Sequence, residues 1–196
     1  MKSRFEDENL KWIPLLIILV LFFPFVLKNS TFSYKYYLYV INLAGIYMIL
    51  TIGLDILSGY TGLMSLGHAA FLALGAYFSA IMVDQFALPF ELSLIITPIL
   101  VGCFGFIIGF PALRIQGIYL GLTTMGFGFI IKRLIIVFNE WTGGSAGLRV
   151  SNAKLFGWTI NSDWENYFII YFFVIIAIII SRRIVRSKLG RAFMSI

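Results

Sequence analysis

One segment of the sequence matches a pattern typical of nucleophilic enzymes. The run Gly143-Gly144-Ser145-Ala146-Gly147 fits G-x-S-x-G, which places a serine on a sharp turn between a strand and a helix. Here an apolar stretch of helical length precedes the motif, and the single histidine, His68, lies in a separate apolar stretch. We interpret the match as a chance product of a glycine-rich loop, and we do not expect this chain to be an enzyme.

The sequence also lacks the residues that metal binding and nucleotide binding require. One histidine and one cysteine, Cys103, cannot supply a histidine pair or a cysteine cluster for a metal ion. The dipeptide Gly-Lys is absent from the sequence, so the chain has no P-loop. We therefore predict no metal site and no cofactor in this chain, and ATP, if it is used, would be bound by partner subunits.

Polar residues and glycines interrupt the apolar pattern near residue 60. Asp55 lies toward the end of an apolar stretch, and an ionisable group at membrane depth is costly and hence a functional candidate. Irregular backbone at that depth is tolerated only beside protein or a water-filled cavity, so the residues that follow are candidates for a path or a gate. They are Gly59, Tyr60, Gly62, Ser65, Gly67 and His68. A plain turn followed by a helix that begins at Ser65 explains the same pattern, and the spacing does not decide between them.

The composition predicts where these residues act. The 196 residues are 60% hydrophobic and 12% charged, with a mean hydropathy of +0.95, whereas soluble domains carry about 25% charged residues. A water-soluble globule is therefore excluded, and an all-α, polytopic membrane helix bundle is predicted. A spanning helix needs about 20 apolar residues, which allows about six spans with a turn at Ser58–Thr61. The spans are Trp12–Leu27, Tyr36–Leu57, Gly62–Val83, Pro89–Phe110, Ile115–Phe138 and Trp164–Ser181.

The distribution of basic residues predicts the orientation. The net charge is +6, but five of the 15 Lys and Arg lie between Arg182 and Arg191, directly after an apolar run. That position is typical of a membrane flank and does not favour nucleic-acid binding. With the N-terminus in the cytoplasm, nine Lys and Arg fall inside and six outside. We therefore expect a single transmembrane domain, 1–196, with a cytoplasmic tail (1–11), an external loop (139–163) and the start of a cytoplasmic loop (182–196).

Small and basic residues inside the predicted spans give two further expectations. Ala69, Ala73, Ala76 and Ala80 recur on one helical face, which favours close packing of helices. Lys132 and Arg133 follow the apolar run 115–131 and are expected to extend toward the outer membrane interface. A role for these two cations on a substrate path is the less favoured interpretation.

Four motifs, in order, resemble a known family. The first is Gly59–Phe71 (GYTGLMSLGHAAF) with Leu74–Tyr77 (LGAY), and the second is Leu113–Leu120 (LRIQGIYL). The third is Thr142–Leu148 (TGGSAGL), and the fourth is Ser187–Phe193 (SKLGRAF). Together they resemble the LivM-type permeases, which are membrane subunits of ABC importers for branched-chain amino acids.

The resemblance implies a division of labour among several proteins. The partners it implies are a second, LivH-like permease, two cytoplasmic ATPase subunits that bind ATP, an external solute-binding protein and the surrounding membrane lipid. Residues 59–75 would line the translocation path in a prokaryotic cell membrane. The external docking or gating loop would contain Thr142, Gly143, Gly144, Ser145 and Gly147. The cytoplasmic coupling region would contain Gly190 and Arg191.

Members of this family usually continue beyond the point that corresponds to Ile196, so we expect this chain to be a C-terminally incomplete permease. The urea-importer permeases are a close alternative, because they resemble the chain across 53–75. We prefer amino acids because Thr142–Leu148 fits that branch better. A secondary transporter driven by an ion gradient is a further alternative, for which Asp55 is the available intramembrane carboxylate.

Overall fold

The structure, a computed structural model, describes residues 34–112, 115, 117–150, 152–155, 157–188 and 190. The predicted first span, 12–27, lies outside these residues. The described part is a bundle of α-helices with one very small β-hairpin. Its helices are α1 (Tyr34–Leu54), α2 (His68–Asp84), α3 (Phe90–Ala112), α4 (Ile118–Val137), α5 (Asn139–Thr142) and α6 (Asp163–Arg186). The remaining elements are a π-helix (Asp55–Tyr60), a 3-10 turn (Gly144–Ala146) and the strands β1 (Lys154–Leu155) and β2 (Trp158–Thr159).

Four of the described helices are long and apolar enough to cross a membrane. They are α1 with its π-helical extension, α3, α4 and α6, whereas α2 is a shorter apolar helix of 17 residues. Large hydrophobic side chains remain exposed along these helices, Phe106 and Val137 among them. Soluble chains do not leave so much apolar surface in water. The predicted all-α membrane bundle is confirmed, and the chain is a multi-pass membrane protein.

The π-helix corrects the predicted turn at Ser58–Thr61. Helical backbone continues without a break from α1 through Tyr60, and the chain turns only afterwards, where Gly62 has a φ of +68°. A positive φ is accessible to glycine without steric cost, so the turn moves to that residue. The predicted third span therefore loses its first residues to an irregular segment, 61–67.

The start of α2 is the second correction. The sequence allowed a helix that begins at Ser65, but α2 begins at His68. The backbone N–H of Leu66 donates instead to the Thr124 hydroxyl of α4, at 3.0 Å. The Leu66 N–H is thus satisfied by a side chain of a neighbouring helix and not by a helical bond within its own segment. The local sequence does not predict this contact.

The helices α1 and α6 form one tightly packed pair. Leu38 of α1 packs in a buried cluster with Tyr167, Tyr171 and Val174 of α6. Two hydrogen bonds cross between them, from the Asn42 amide to the Asp163 carbonyl (3.0 Å) and from the Tyr171 hydroxyl to the Ile41 carbonyl (3.2 Å). Both acceptors are backbone oxygens, so these bonds fix the relative register of the two helices.

The helices α2, α3 and α4 form the second packed group. A hydrogen bond of 2.8 Å between the half-buried Ser79 and the buried Ser93 joins α2 to α3. Ala70 of α2 packs against Phe127 and Ile131 of α4 in a separate apolar cluster. Hydroxyl pairs and small residues at helix contacts are typical of membrane bundles, where backbones approach closely.

Helix α6 begins with a complete cap and extends further than predicted. The Ser162 side chain accepts from the Trp164 N–H, and Glu165 accepts from the Ser162 N–H at 3.1 Å. Glu165 also accepts from the Trp158 indole, which ties the hairpin to the helix. At its other end α6 continues to Arg186, so the first basic residues of the predicted cytoplasmic loop are helical. Cations at a helix C-terminus are favoured by the helix dipole.

Candidate functional site

The irregular segment before α2 packs backbone to backbone against α4. Gly67 is buried, and a Cβ atom at this position would overlap the carbonyl oxygen of Thr124. The Thr124 hydroxyl accepts from the Leu66 N–H and itself donates to the Gly121 carbonyl at 2.9 Å. Gly67 is therefore required by a close approach, because its φ of −97° is accessible to any residue. Thr124 was not identified from the sequence.

His68, the first residue of α2, faces α1. Its ring packs edge-on against Phe71, and its Nε2 atom faces Gly53 of α1, where an added Cβ would lie 3.1 Å away. The Nδ1 atom is buried and has no hydrogen-bond partner among the described residues. The His68 ring therefore lies between α1 and Phe71 of its own helix. Because Gly53 has no side chain, it leaves the space that the ring occupies.

The remaining predicted path residues do not gather around His68. Asp55 is exposed in the π-helix, and its carboxyl group lies beside Gly59, where an added Cβ would be 2.6 Å from Oδ1. Tyr60 and Gly62 are exposed, and Ser65 is half-buried. Asp55 and Gly59 therefore form a local pair on one turn, separate from the contact of Gly67 with Thr124.

The glycine-rich loop after α4 is an ordered turn built around Thr142. The Thr142 side chain is buried, donates to the Phe138 carbonyl at 2.9 Å and accepts from the Gly144 N–H at 3.1 Å. Gly143, Gly144 and Gly147 all have φ between +58° and +75°. Side chains are strained in that region, so the three glycines are required by the backbone path itself. Ser145, in contrast, is exposed.

This loop contacts the far end of α2. The Gln85 amide donates to the Trp141 carbonyl at 2.9 Å, and Phe86 stacks on the Trp141 ring. The two glycine-rich motifs thus lie at opposite ends of α2, whose 17 residues span about 25 Å at 1.5 Å per residue. Ser145 and His68 are separated by that length, so the structure does not bring them together as a nucleophile and its base.

Helices α2 and α4 run parallel and in register. The hydrogen bond from Leu66 joins residues 58 apart in the chain, and the one from Gln85 joins residues 56 apart. Because the sequence separation is almost the same at both contacts, each residue along α2 lies beside the residue of the following helices that is 56 to 58 positions later in the chain. The contact of Gly67 with Thr124 closes one end, and the contact of Gln85 with Trp141 closes the other.

A groove of about 360 Å³ lies between these two contacts. Its α2 wall is made of small side chains, and its α4 wall is mostly larger and apolar. The lining residues are Leu66, Gly67, Ala69, Ala70, Ala73, Met125, Gly128, Phe129, Ile131, Lys132 and Ile135. Of the path residues predicted individually, Gly67 lines this groove, and Leu66, Ala69, Ala70 and Ala73 belong to the wider predicted range 59–75. Gly128 escaped the sequence analysis, because a glycine within a span is equally typical of helix packing.

A second concavity, of about 350 Å³, lies at the C-terminal end of α6. It is lined by Ile179, Arg182, Arg183, Arg186 and Ser187. The chain then turns: the Ser187 hydroxyl donates to the Ile184 carbonyl at 2.6 Å, and Gly190 is buried against the backbone of Val185. Gly190 thus closes this turn, whereas Arg191 lies outside the described residues.

The described residues contain no group of three or more His, Cys, Asp or Glu that would hold a metal ion. The loop at 142–147 is formed by backbone and hydroxyl groups, and the groove is lined by apolar side chains together with Lys132.

Comparison with known proteins gives one family and two relatives. The family described as branched-chain amino acid transport system / permease component matches residues 36–196. The high-affinity branched-chain amino acid transport system permease protein LivM of Escherichia coli (strain K12) is 30% identical over 202 residues, which cover 91% of this chain and 46% of the relative. The protein of the same description in Salmonella typhimurium is 28% identical over the same shares. The chain therefore spans about half the length of these curated relatives, and no solved structure gives a significant match.

Proposed function

Because this chain belongs to the family of branched-chain amino acid transport permease components, we propose that it forms part of the translocation path of an ABC importer. The proposed substrates are leucine, isoleucine and valine, since both relatives are described as branched-chain amino acid permeases. The proposed site is the inner membrane of a prokaryotic cell, with the N-terminus in the cytoplasm. The chain itself moves the solute and breaks no bond.

The proposed partners supply what this chain lacks. Two cytoplasmic ATPase subunits bind ATP, for which this sequence has no P-loop. An external solute-binding protein delivers the amino acid to the 139–163 loop, and a second, LivH-like permease completes the path. The ordered turn at Thr142–Gly147 is the docking or gating element, and the turn closed by Gly190 leads into the ATPase coupling region with Arg191.

The observation that carries this proposal is the family match over 36–196, which covers the described spanning helices except the first two residues of α1. The geometry supports it, because the two glycine-rich motifs lie at the two ends of α2. A path through the membrane needs a contact surface at each end and a groove between them. The groove between α2 and α4 occupies part of this length, beside residues 66–73 on one side and 125–135 on the other.

Uptake by the source cells tests the proposal. Labelled leucine and labelled urea are supplied to cells with the gene, without it, and with the deletion complemented by the full gene. We expect deletion to abolish the share of leucine uptake that isoleucine and valine compete for and that ATP depletion stops. Complementation is expected to restore it.

Other outcomes identify the alternatives. Loss of urea uptake with unchanged leucine uptake assigns the chain to the urea-importer branch. Leucine uptake that depends on the chain but collapses with the ion gradient, while ATP is held constant, indicates a secondary transporter with Asp55 as its carboxylate. If deletion changes neither uptake, the proposed function is wrong.

A further inference from the structure

The geometry points to the groove between α2 and α4 as the place where the amino acid lies during transit, with Lys132 binding its carboxylate. This inference rests on the proposed function and adds the contact residues. It starts from the groove, whose volume of about 360 Å³ is in the range of small-molecule sites. Its apolar lining matches an aliphatic side chain, and its single charged lining residue matches the acid group.

Among the described residues, Gly128 borders open space and not a helix contact. A Cβ added at Gly128 would meet none of their atoms within 4 Å, whereas a Cβ at Gly67 would overlap the backbone of α4. Packing between the described helices therefore explains Gly67 and does not explain Gly128. Ala69 and Ala73 line the same volume from α2. The small side chains on both walls together leave a volume that larger residues would fill.

Lys132 distinguishes the groove from an ordinary apolar surface. It lines the groove, while its neighbour Arg133 does not. No carboxylate of the described residues pairs with Lys132, and the groove lining itself contains no carboxylate. Lys132 is exposed and is the charged member of an otherwise apolar lining, so its ammonium group complements the carboxylate of an amino acid. Residue 132 is five positions before the end of α4, so this end of the groove lies toward the glycine-rich loop.

Two matched pairs of variants test the inference in the complete importer, expressed in the deletion strain. Lys132→Met is compared with Arg133→Met, and Gly128→Leu is compared with Gly126→Leu. Gly126 also has nothing within 4 Å of an added Cβ but does not line the groove. The two members of each pair therefore lie in the same helix at about the same depth and carry the same kind of residue. They differ in whether that residue lines the groove.

We expect Lys132→Met to lower the maximal rate of leucine uptake by about tenfold, because a charge-assisted hydrogen bond to the solute is lost. Lys132→Arg is expected to restore the rate, and Arg133→Met to leave it within about twofold of wild type, as for an exposed cation. Gly128→Leu is expected to abolish uptake, whereas Gly126→Leu retains it. The milder Gly128→Ala is expected to raise the ratio of valine to leucine uptake, because a narrower groove favours the smaller side chain.

Membrane level and co-purification of the partner permease and ATPase subunits are measured for every variant. Equal uptake by both members of each pair, or equal loss by both, would overturn the groove proposal while wild-type complementation still supports the proposed function. Loss of the partner permease from Gly128→Leu complexes would show that a helix of that partner fills the groove, which also overturns it. If the wild-type gene itself restores no leucine uptake, the proposed function fails and the groove assignment falls with it.

Discussion

At the scale of single residues, the glycines of this chain fall into three physical classes. Gly143, Gly144 and Gly147 are required by positive φ angles. Gly67 is required by contact with the backbone of a neighbouring helix, and Gly128 borders open space. The sequence shows all five as the same letter, so it predicted the glycine-rich motifs but not the reason for each glycine. For Gly67 that reason is Thr124, more than fifty residues further along the chain.

The Gly67 contact gives a prediction for stability. Gly67→Ala places a methyl group against the Thr124 carbonyl, which cannot move without shifting α4. We expect the free energy of unfolding of the purified chain, measured by SDS titration in detergent micelles, to fall by about 1–3 kcal/mol, as for other overpacked sites. Gly126→Ala, in the same helix as Thr124 but facing open space, is the control and is expected to gain about 0.5–1 kcal/mol from helix propensity. Equal unfolding of Gly67→Ala and wild type would contradict the contact.

At the scale of helices, the sequence predicted which segments are helical far better than where they begin. Apolar runs identified α1, α3, α4 and α6 within a few residues, because lipid exposure makes hydropathy the dominant signal. The ends depend on individual hydrogen bonds. The Thr124 hydroxyl captures the Leu66 N–H and delays α2 to His68, and the Ser162–Glu165 cap starts α6 one residue early. The small hairpin, β1 and β2, has no pattern long enough to predict.

The pairing of α1 with α6 gives a prediction at this scale. Gly45 lets the two helices approach, since a Cβ there would lie 2.6 Å from Ile170 Cγ2. Gly45→Leu is therefore expected to separate the pair and to lower the free energy of unfolding by about 1–3 kcal/mol. Gly102→Leu in α3, which meets nothing within 4 Å, serves as the control. A loss of stability that is equal in the two variants would show that the α1–α6 contact is not the cause.

At the scale of the whole molecule, the groove was beyond sequence reasoning although most of its parts were noticed. The first alanines of α2 fell within the predicted path range 59–75 but were also interpreted as helix packing, and Lys132 was grouped with Arg133 at the outer interface. Consecutive residues lie about 100° apart around a helix, so the side of α4 that meets α2 places Lys132 in the groove lining and leaves Arg133 outside it. A sequence predicts which residues share one face of a helix, but it does not predict which other helix packs against that face.

The placement of both glycine-rich motifs at opposite ends of α2 predicts opposite membrane sides for two exposed serines, Ser58 and Ser145. Each is changed to cysteine in a Cys103→Ser background, because Cys103 is free and exposed. With the basic end of α6 in the cytoplasm, a membrane-impermeant maleimide is expected to label Ser145→Cys in intact cells. It is expected to label Ser58→Cys only after the membrane is permeabilised.

The length of α2 makes this labelling informative. Its 17 residues span about 25 Å, less than the hydrocarbon core of about 30 Å. The irregular segment 61–67 must therefore complete the crossing, and Thr124 of α4 accepts from its Leu66 N–H, a backbone group that lipid would leave unpaired. Labelling of both cysteines from the same side would make α2 a re-entrant helix and remove a continuous path along it. Labelling with both sides exchanged would keep the path and reverse the assigned orientation.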